Sequence, residues 1–279
     1  MEHLDTKLKS GLYIHSLACG NDKGQAIVLL HGYPANAHLW RNIMPTLSKH
    51  FYLLAPDLPG HGASSKPMDT YYNLKYFIEF LKDYLDALNL RNVYLVGHDL
   101  GGMVALGCTA NYPDRISKLV IMDTAPYSNW SPLLKTIIII AGNRICARWL
   151  LLPSVFRIVL KYLVVYSPKS ISKKIAEIYR KPWVETKNSR KAFSKVIEAD
   201  PEEITPNRNQ YQNITMPTLI LWSENDPLFS LRIARQLKDD IPNAGLISLP
   251  KCSHFLQEDN PRLIIQHLIE FFRFDRQQR

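Results

Sequence analysis

The stretch Gly97-His98-Asp99-Leu100-Gly101-Gly102 is where the chain concentrates its chemistry. It follows an apolar run, Val93-Tyr94-Leu95-Val96, and opens a small-residue helical pattern from Gly101 to Ala110, which is the strand, sharp turn and helix context of a nucleophile elbow. Such a turn strains its central residue and holds that side chain clear of the strand, so the flanking positions must be glycine or nearly as small. Gly97 and Gly101 meet that demand around Asp99. A carboxylate is already ionised near neutral pH. It can displace a leaving group from a tetrahedral carbon directly, whereas attack on a carboxylic ester would give only an unstable anhydride. The expected chemistry is therefore formation of an alkyl ester of Asp99 and its hydrolysis by water.

Further motifs surround this one. The apolar run Ala26-Ile27-Val28-Leu29-Leu30 ends in His31-Gly32-Tyr33-Pro34, and Phe51-Tyr52-Leu53-Leu54-Ala55-Pro56 ends in Asp57-Leu58-Pro59-Gly60-His61-Gly62. Thr218-Leu219-Ile220-Leu221-Trp222 runs into Ser223-Glu224-Asn225-Asp226-Pro227, and Cys252-Ser253-His254-Phe255 precedes a last helix pattern. In this order the motifs resemble the α/β-hydrolase superfamily from about Leu12 to Phe272, with Asp99 standing where most members carry serine.

The resemblance implies a nucleophile, acid, histidine order that falls on Asp99, Asp226 and His254. His254 would take a proton from water, its tautomer set by a buried carboxylate on the other ring nitrogen. Asp226, just past a strand end, suits that role; Asp123, after Lys118-Leu119-Val120-Ile121-Met122, is the alternative, because some dehalogenases carry their acid there. The oxyanion hole of the fold maps to the backbone N–H groups of Tyr33 and Leu100. The other histidines read as structural or surface residues.

These residues need a frame. Apolar runs predict parallel strands near 27–31, 51–55, 93–96, 117–122, 217–222 and 246–249, preceded by short N-terminal strands, with helices over 39–49, 73–90, 101–112, 230–240 and 260–273. The predicted architecture is α/β, an α/β-hydrolase fold with a mostly parallel central sheet, helices on both faces and a core made of 1–125 and 214–279. Over 126–213 the alternation stops, and helix-like patterns broken at Pro132, Pro153, Pro168, Pro182, Pro201 and Pro206 predict an inserted helical cap.

A chain of 279 residues, 46% hydrophobic, can bury one large core. Cys19, Cys108, Cys146 and Cys252 form no C-x-x-C pair, and Met1-Glu2-His3-Leu4-Asp5 lacks a basic start and apolar core, so a reduced cytoplasm without secretory leader, metal site or disulfide framework is expected. Nothing calls for a cofactor, and no motif points to nucleic acid. The net charge of +9 lies wholly in the insertion, since 127–213 holds fifteen Lys/Arg against six Asp/Glu. There, Arg144 with Arg148 and Arg157 with Lys161 are helical neighbours among apolar runs. The simpler expectation is an apolar face over the site and a solvated basic face outside; the sharper one is weak contact with an anionic membrane or acidic partner. No apolar run reaches the roughly 18 residues of a membrane span.

The reaction subtype rests on the leaving group. Haloalkane dehalogenases resemble the chain in Tyr179-Arg180-Lys181-Pro182-Trp183 followed by Arg190, yet they place Asn at the position of Tyr33 and Trp at that of Leu100 to hold the departing halide. Trp130, Trp149 or Trp183 would have to supply that N–H here. Fluoroacetate dehalogenases carry arginines where this chain has Leu100 and Met103. Epoxide hydrolases resemble the His31-Gly32-Tyr33-Pro34 turn and the His98-Asp99 pair, and need phenolic donors from the cap, for which Tyr162, Tyr166 and Tyr179 are the candidates. The expected function is epoxide hydrolase-like turnover of a small apolar substrate. The alternatives are haloalkane dehalogenase-like hydrolysis and, in another class, a non-catalytic ligand-binding protein on the same scaffold.

Overall fold

Aliphatic and β-branched runs form the strands of one sheet in the computed structural model, which describes residues 1–273. The strands are β1 (Glu2–Lys7), β2 (Tyr13–Cys19), β3 (Ala26–Leu30), β4 (Tyr52–Pro56), β5 (Val93–His98), β6 (Ile116–Met122), β7 (Thr218–Ser223) and β8 (Ala244–Leu249). Their spatial order is β1-β2-β4-β3-β5-β6-β7-β8. β1 with β2 and β2 with β4 run antiparallel; every other neighbouring pair is parallel. β3 and β7 are buried along their whole length, as parallel strands covered on both faces must be.

The first helices are α1 (Met44–Leu47), α2 (Leu74–Ala87) and α3 (Leu100–Asn111). The predicted helix over 39–49 is instead a short 3-10 turn, Ala37–Trp40, followed by α1. Pro45 explains the break, since it lacks the N–H that a continuous helix needs and clashes with the preceding turn. Between β6 and β7 the chain forms no strand: it holds α4 (Pro132–Gly142), α5 (Arg144–Leu150), α6 (Pro153–Val159), a π turn over Leu160–Val164, α7 (Lys173–Val184), α8 (Lys187–Lys195) and α9 (Pro201–Ile204). Pro132, Pro153 and Pro201 start helices, where a missing N–H costs nothing, while Pro182 lies inside α7 near its end. The last helices are α10 (Leu231–Asp240), α11 (Leu256–Asp259) and α12 (Pro261–Arg273).

Successive side chains of a strand point to opposite faces. Tyr94 of β5 stacks on Phe272 of α12 with ring centroids 4.9 Å apart, whereas a Cβ at Gly97, of opposite parity, would lie 2.8 Å from Ala105 Cβ of α3. Hence α3 and α12 cover opposite faces of the sheet. The inserted helices are tied down from the core side. Arg41 donates to both oxygens of Glu258 at 2.6 and 2.7 Å, and the Tyr179 hydroxyl of α7 donates to the same carboxylate. Trp183 Nε1 donates to the Pro34 carbonyl at 2.9 Å, and the Asp259 carboxylate accepts the N–H groups of Tyr166 and Ser167 at 2.8 and 3.1 Å. Among the described residues no helix is long and apolar enough to cross a membrane.

Candidate active site

Asp99 sits between β5 and α3 with φ 53° and ψ −120°, a backbone conformation that L-residues rarely adopt. Only glycine fits around it. A Cβ at Gly97 would lie 2.3 Å from the Gly101 carbonyl, one at Gly101 would lie 2.5 Å from the carbonyls of Leu30 and His31, and one at Gly32 would lie 2.3 Å from Asp99 Oδ1. The turn is held by the Asp99 N–H on the Asp123 carbonyl at 3.1 Å and by Thr124 Oγ1, which donates to the Asp99 carbonyl at 2.5 Å.

The Asp99 carboxylate meets two groups. Its Oδ1 accepts the Tyr33 N–H at 2.8 Å, and its Oδ2 lies 3.6 Å from His254 Nε2. Burial raises the Asp99 pKa, and the His254 charge and the nearby backbone amides of Leu100 and Tyr33 only partly offset that. On the other side of the imidazole, His254 Nδ1 lies 2.9 Å from Asp226 Oδ2, while Asp226 Oδ1 accepts the N–H groups of Leu228 and Phe229 at 2.7 and 3.2 Å. Burial opposes the imidazolium, yet the charge and hydrogen bond of Asp226, with the Asp99 charge behind them, push the His254 pKa up to about 9. His98 Nε2 contacts the His254 carbonyl at 2.8 Å, and burial first, then the His254 charge, holds His98 well below the usual histidine range.

Asp123 does not reach the imidazole by a hydrogen bond. It accepts the Ser223 N–H at 2.9 Å, and its Oδ2 lies 2.5 Å from Ser223 Oγ, which lies 2.8 Å from the Ser253 carbonyl. One hydroxyl proton cannot serve two acceptors, so a protonated Asp123 completes the set. Burial and the neighbouring Asp226 charge raise its pKa well above the carboxylate range, in keeping with a neutral acid. The structure thus sets Asp226, rather than Asp123, on His254.

Asp99 and His254 face a cavity of about 310 Å³ beyond the carboxyl ends of the strands, closed over by side chains of α4, α6 and α8 such as Leu134, Ile138, Phe156 and Phe193. Apart from His254, the lining side chains that carry an N–H or O–H are those of Tyr33 and Trp130. Tyr33 Oη and Trp130 Nε1 are both buried with no hydrogen-bond partner among the described residues.

The leaving-group residues expected from the sequence lie elsewhere. Tyr162 and Tyr166 are 72% and 49% exposed on the outer side of the insertion, because the π turn directs Leu160, Leu163 and Val164 inward instead. Tyr179 is buried on Glu258 and Arg41, and Trp183 is committed to the Pro34 carbonyl, so neither lines the cavity. Sequence reasoning used Tyr33 for its amide alone and missed its phenol. The signal was available, since this is the position where dehalogenases put a halide-holding side chain.

A profile of the alpha/beta hydrolase fold family matches residues 25–143 and 181–261. The haloalkane dehalogenase of Mesorhizobium japonicum is 29% identical over 253 residues, covering 85% of this chain and 81% of its own length. Human epoxide hydrolase 4 is 28% identical over 299 residues, covering 97% of this chain and 79% of its own. The solved structure of epoxide hydrolase CorEH superposes with a TM-score of 0.83 at 24% identity over 97% of this chain and 98% of that one, a likeness of fold. With a strained strand-to-helix turn, a mostly parallel sheet and a family profile over most of its length, the chain belongs to the alpha/beta hydrolase fold family.

Proposed function

We propose that the protein hydrolyses an apolar substrate by two successive displacements on one carboxylate, with Asp99 as nucleophile, His254 as general base, Asp226 as its orienting partner and 126–213 as the cap over the site. The observation that carries this reading is the Asp99 carboxylate at the apex of the strained turn, 2.8 Å from the Tyr33 N–H and 3.6 Å from His254 Nε2, facing an apolar cavity. Asp99 Oδ2 attacks a tetrahedral carbon and the bond to the leaving group breaks. Esterification removes the Asp99 charge that helps to keep His254 protonated, so burial then favours the neutral imidazole. The freed base takes a proton from water, which attacks the ester carbon. The resulting oxyanion forms on Oδ1, the oxygen that already accepts the Tyr33 N–H, beside the Leu100 amide. Its collapse breaks the bond between the ester carbon and Oδ2; the product leaves with Oδ2 and takes the proton held by His254, and the Asp99 carboxyl, now carrying water's oxygen, gives up its remaining proton.

For an epoxide, the developing alkoxide takes the Tyr33 proton, and the proton given up by the regenerated Asp99 carboxyl restores the phenol. Burial keeps the Tyr33 pKa well above its ordinary value of 10, so the phenol is protonated in the resting site. Trp130 Nε1, buried and without a partner among the described residues, supports the second reading, a haloalkane whose halide needs an N–H and no proton.

His254→Gln should accumulate a covalent adduct visible by intact mass with a terminal epoxide or bromoalkane, and wild-type single turnover in heavy-oxygen water should place label in the Asp99 carboxylate. Label confined to the product, with no adduct, would refute the covalent scheme and leave ligand binding or direct hydrolysis. Tyr33→Phe keeps the amide and should slow epoxide opening by about 10²-fold. Loss of bromoalkane turnover in Trp130→Phe, with epoxide turnover absent in the wild type, would transfer the assignment to dehalogenation.

A further inference from the structure

The insertion carries a second feature that hydrolysis does not use. From 131 to 176 the chain has eight Lys/Arg and no Asp/Glu. The helices of this stretch are apolar on both sides. Their inner sides bury Leu134, Ala147, Phe156 and Leu160. Their outer sides present Ile139, Ile145, Trp149, Ile158 and Tyr162, each more than half exposed (56% to 72%). Of the twelve large apolar side chains exposed among the described residues, nine fall within 133–166. Scattered exposed apolar residues mean little, whereas a concentration of this kind marks a surface that meets another apolar phase. Lys135, Arg144, Arg148, Arg157 and Lys161 stand among them, and no ion pair engages these five among the described residues.

We infer that the outer face of α4, α5, α6 and the π turn docks on a lipid bilayer bearing anionic headgroups. The apolar and aromatic side chains match the headgroup and acyl boundary, and the unpaired basic groups match anionic phosphate. A second copy of the chain is disfavoured as occupant, because a symmetric contact would bring the same acid-free basic face against itself. The helices are too short to span: α4 has 11 residues and α5 and α6 have 7 each, so they lie along the surface. The inner sides of α4 and α6 line the cavity, so docking sets the cavity one helix layer from the bilayer.

Flotation of the full chain with phosphatidylcholine vesicles, with and without phosphatidylglycerol, tests this without any substrate. The wild type should float with the mixed vesicles, far less with pure phosphatidylcholine, and be released by salt. Arg144→Gln with Arg148→Gln should weaken partitioning by about tenfold or more, since each basic group at an anionic surface contributes roughly a fivefold factor. Ile139→Asn, Ile145→Asn and Trp149→Ser together should weaken it comparably, with the thermal unfolding transition of each variant retained. Wild-type protein that stays at the bottom of the gradient overturns the inference, as do variants that float like the wild type. Binding to polyglutamate alone would reassign the face to an acidic protein, and a dimer dispersed by the apolar variants without vesicle binding would reassign it to self-association. None of these outcomes bears on the covalent scheme, which is read from adduct and label.

Discussion

In the proposed scheme one carboxylate serves both halves of the hydrolysis, and the histidine beside it changes state between them. The His254 ring is held between two carboxylates, Asp226 at 2.9 Å and Asp99 at 3.6 Å, and in that scheme only the second loses its charge on alkylation. Asp226→Asn should reduce hydrolysis of the ester by about 10⁴-fold, the precedent for loss of the orienting acid in serine enzymes. Asp123→Asn should cost less than about tenfold, because the amide keeps an acceptor for the Ser223 N–H and donates to Ser223 Oγ as the protonated acid does. Rates of decay of the pre-formed adduct would measure both. The opposite ranking would make Asp123 the partner of His254.

At the scale of elements, the insertion depends on a few buried polar anchors. Tyr179 shows how an anchor can resemble a catalytic residue in sequence. It is a tyrosine in an inserted helix, yet its hydroxyl is committed to Glu258 and lies 3.1 Å from Arg41 Nη1. Tyr179→Phe leaves the Arg41 and Glu258 pair intact and removes one hydrogen-bonding group, which should lower unfolding free energy by about 1–2 kcal/mol. Adduct formation should stay within about twofold of wild type. Denaturant unfolding and single-turnover kinetics would check the two halves of this expectation, and a slow alkylation step in an otherwise stable variant would return Tyr179 to the leaving group.

The whole molecule carries one conspicuous acid-sensitive tie. Asp57, just past β4, accepts from the N–H groups of Ala37 at 2.7 Å and Ala63 at 2.8 Å and contacts His15 Nδ1 at 2.8 Å, so it joins β2, the turn after β3 and its own loop. Burial works against the charge, but His15, His31 and the two amides lower its pKa from 3.8 to about 2. A lowered folded-state value means stability that is complete above the unfolded pKa and is lost as pH falls through the folded one. Between about pH 4 and pH 2 the wild type should lose about 2 kcal/mol more unfolding free energy than Asp57→Asn. Equal slopes for the two proteins in that window would show that Asp57 titrates as an ordinary surface carboxylate.

The elbow was legible in the sequence because its geometry is local. Gly97, Asp99 and Gly101 are consecutive or nearly so, and backbone sterics alone demand small neighbours at a strained turn. The parallel strands were legible too, with boundaries within a residue or two, because a doubly covered strand must be apolar throughout. The helix over 39–49 was misread because the apolar pattern masked the effect of Pro45. What the sequence could not determine was direction. Ile137-Ile138-Ile139-Ile140 carries no apolar period, and only packing decides that Ile138 lines the cavity while Ile139 faces outward. The same lack of a local rule hid the roles of Tyr33, Tyr162 and Tyr179, whose rings are alike until neighbours occupy or free the hydroxyl. Asp123 and Asp226 follow adjacent strands, β6 and β7, so both carboxylates arrive near His254. Only the tertiary structure, by giving one of them Ser223 and the other the imidazole, decided which carboxylate meets the ring.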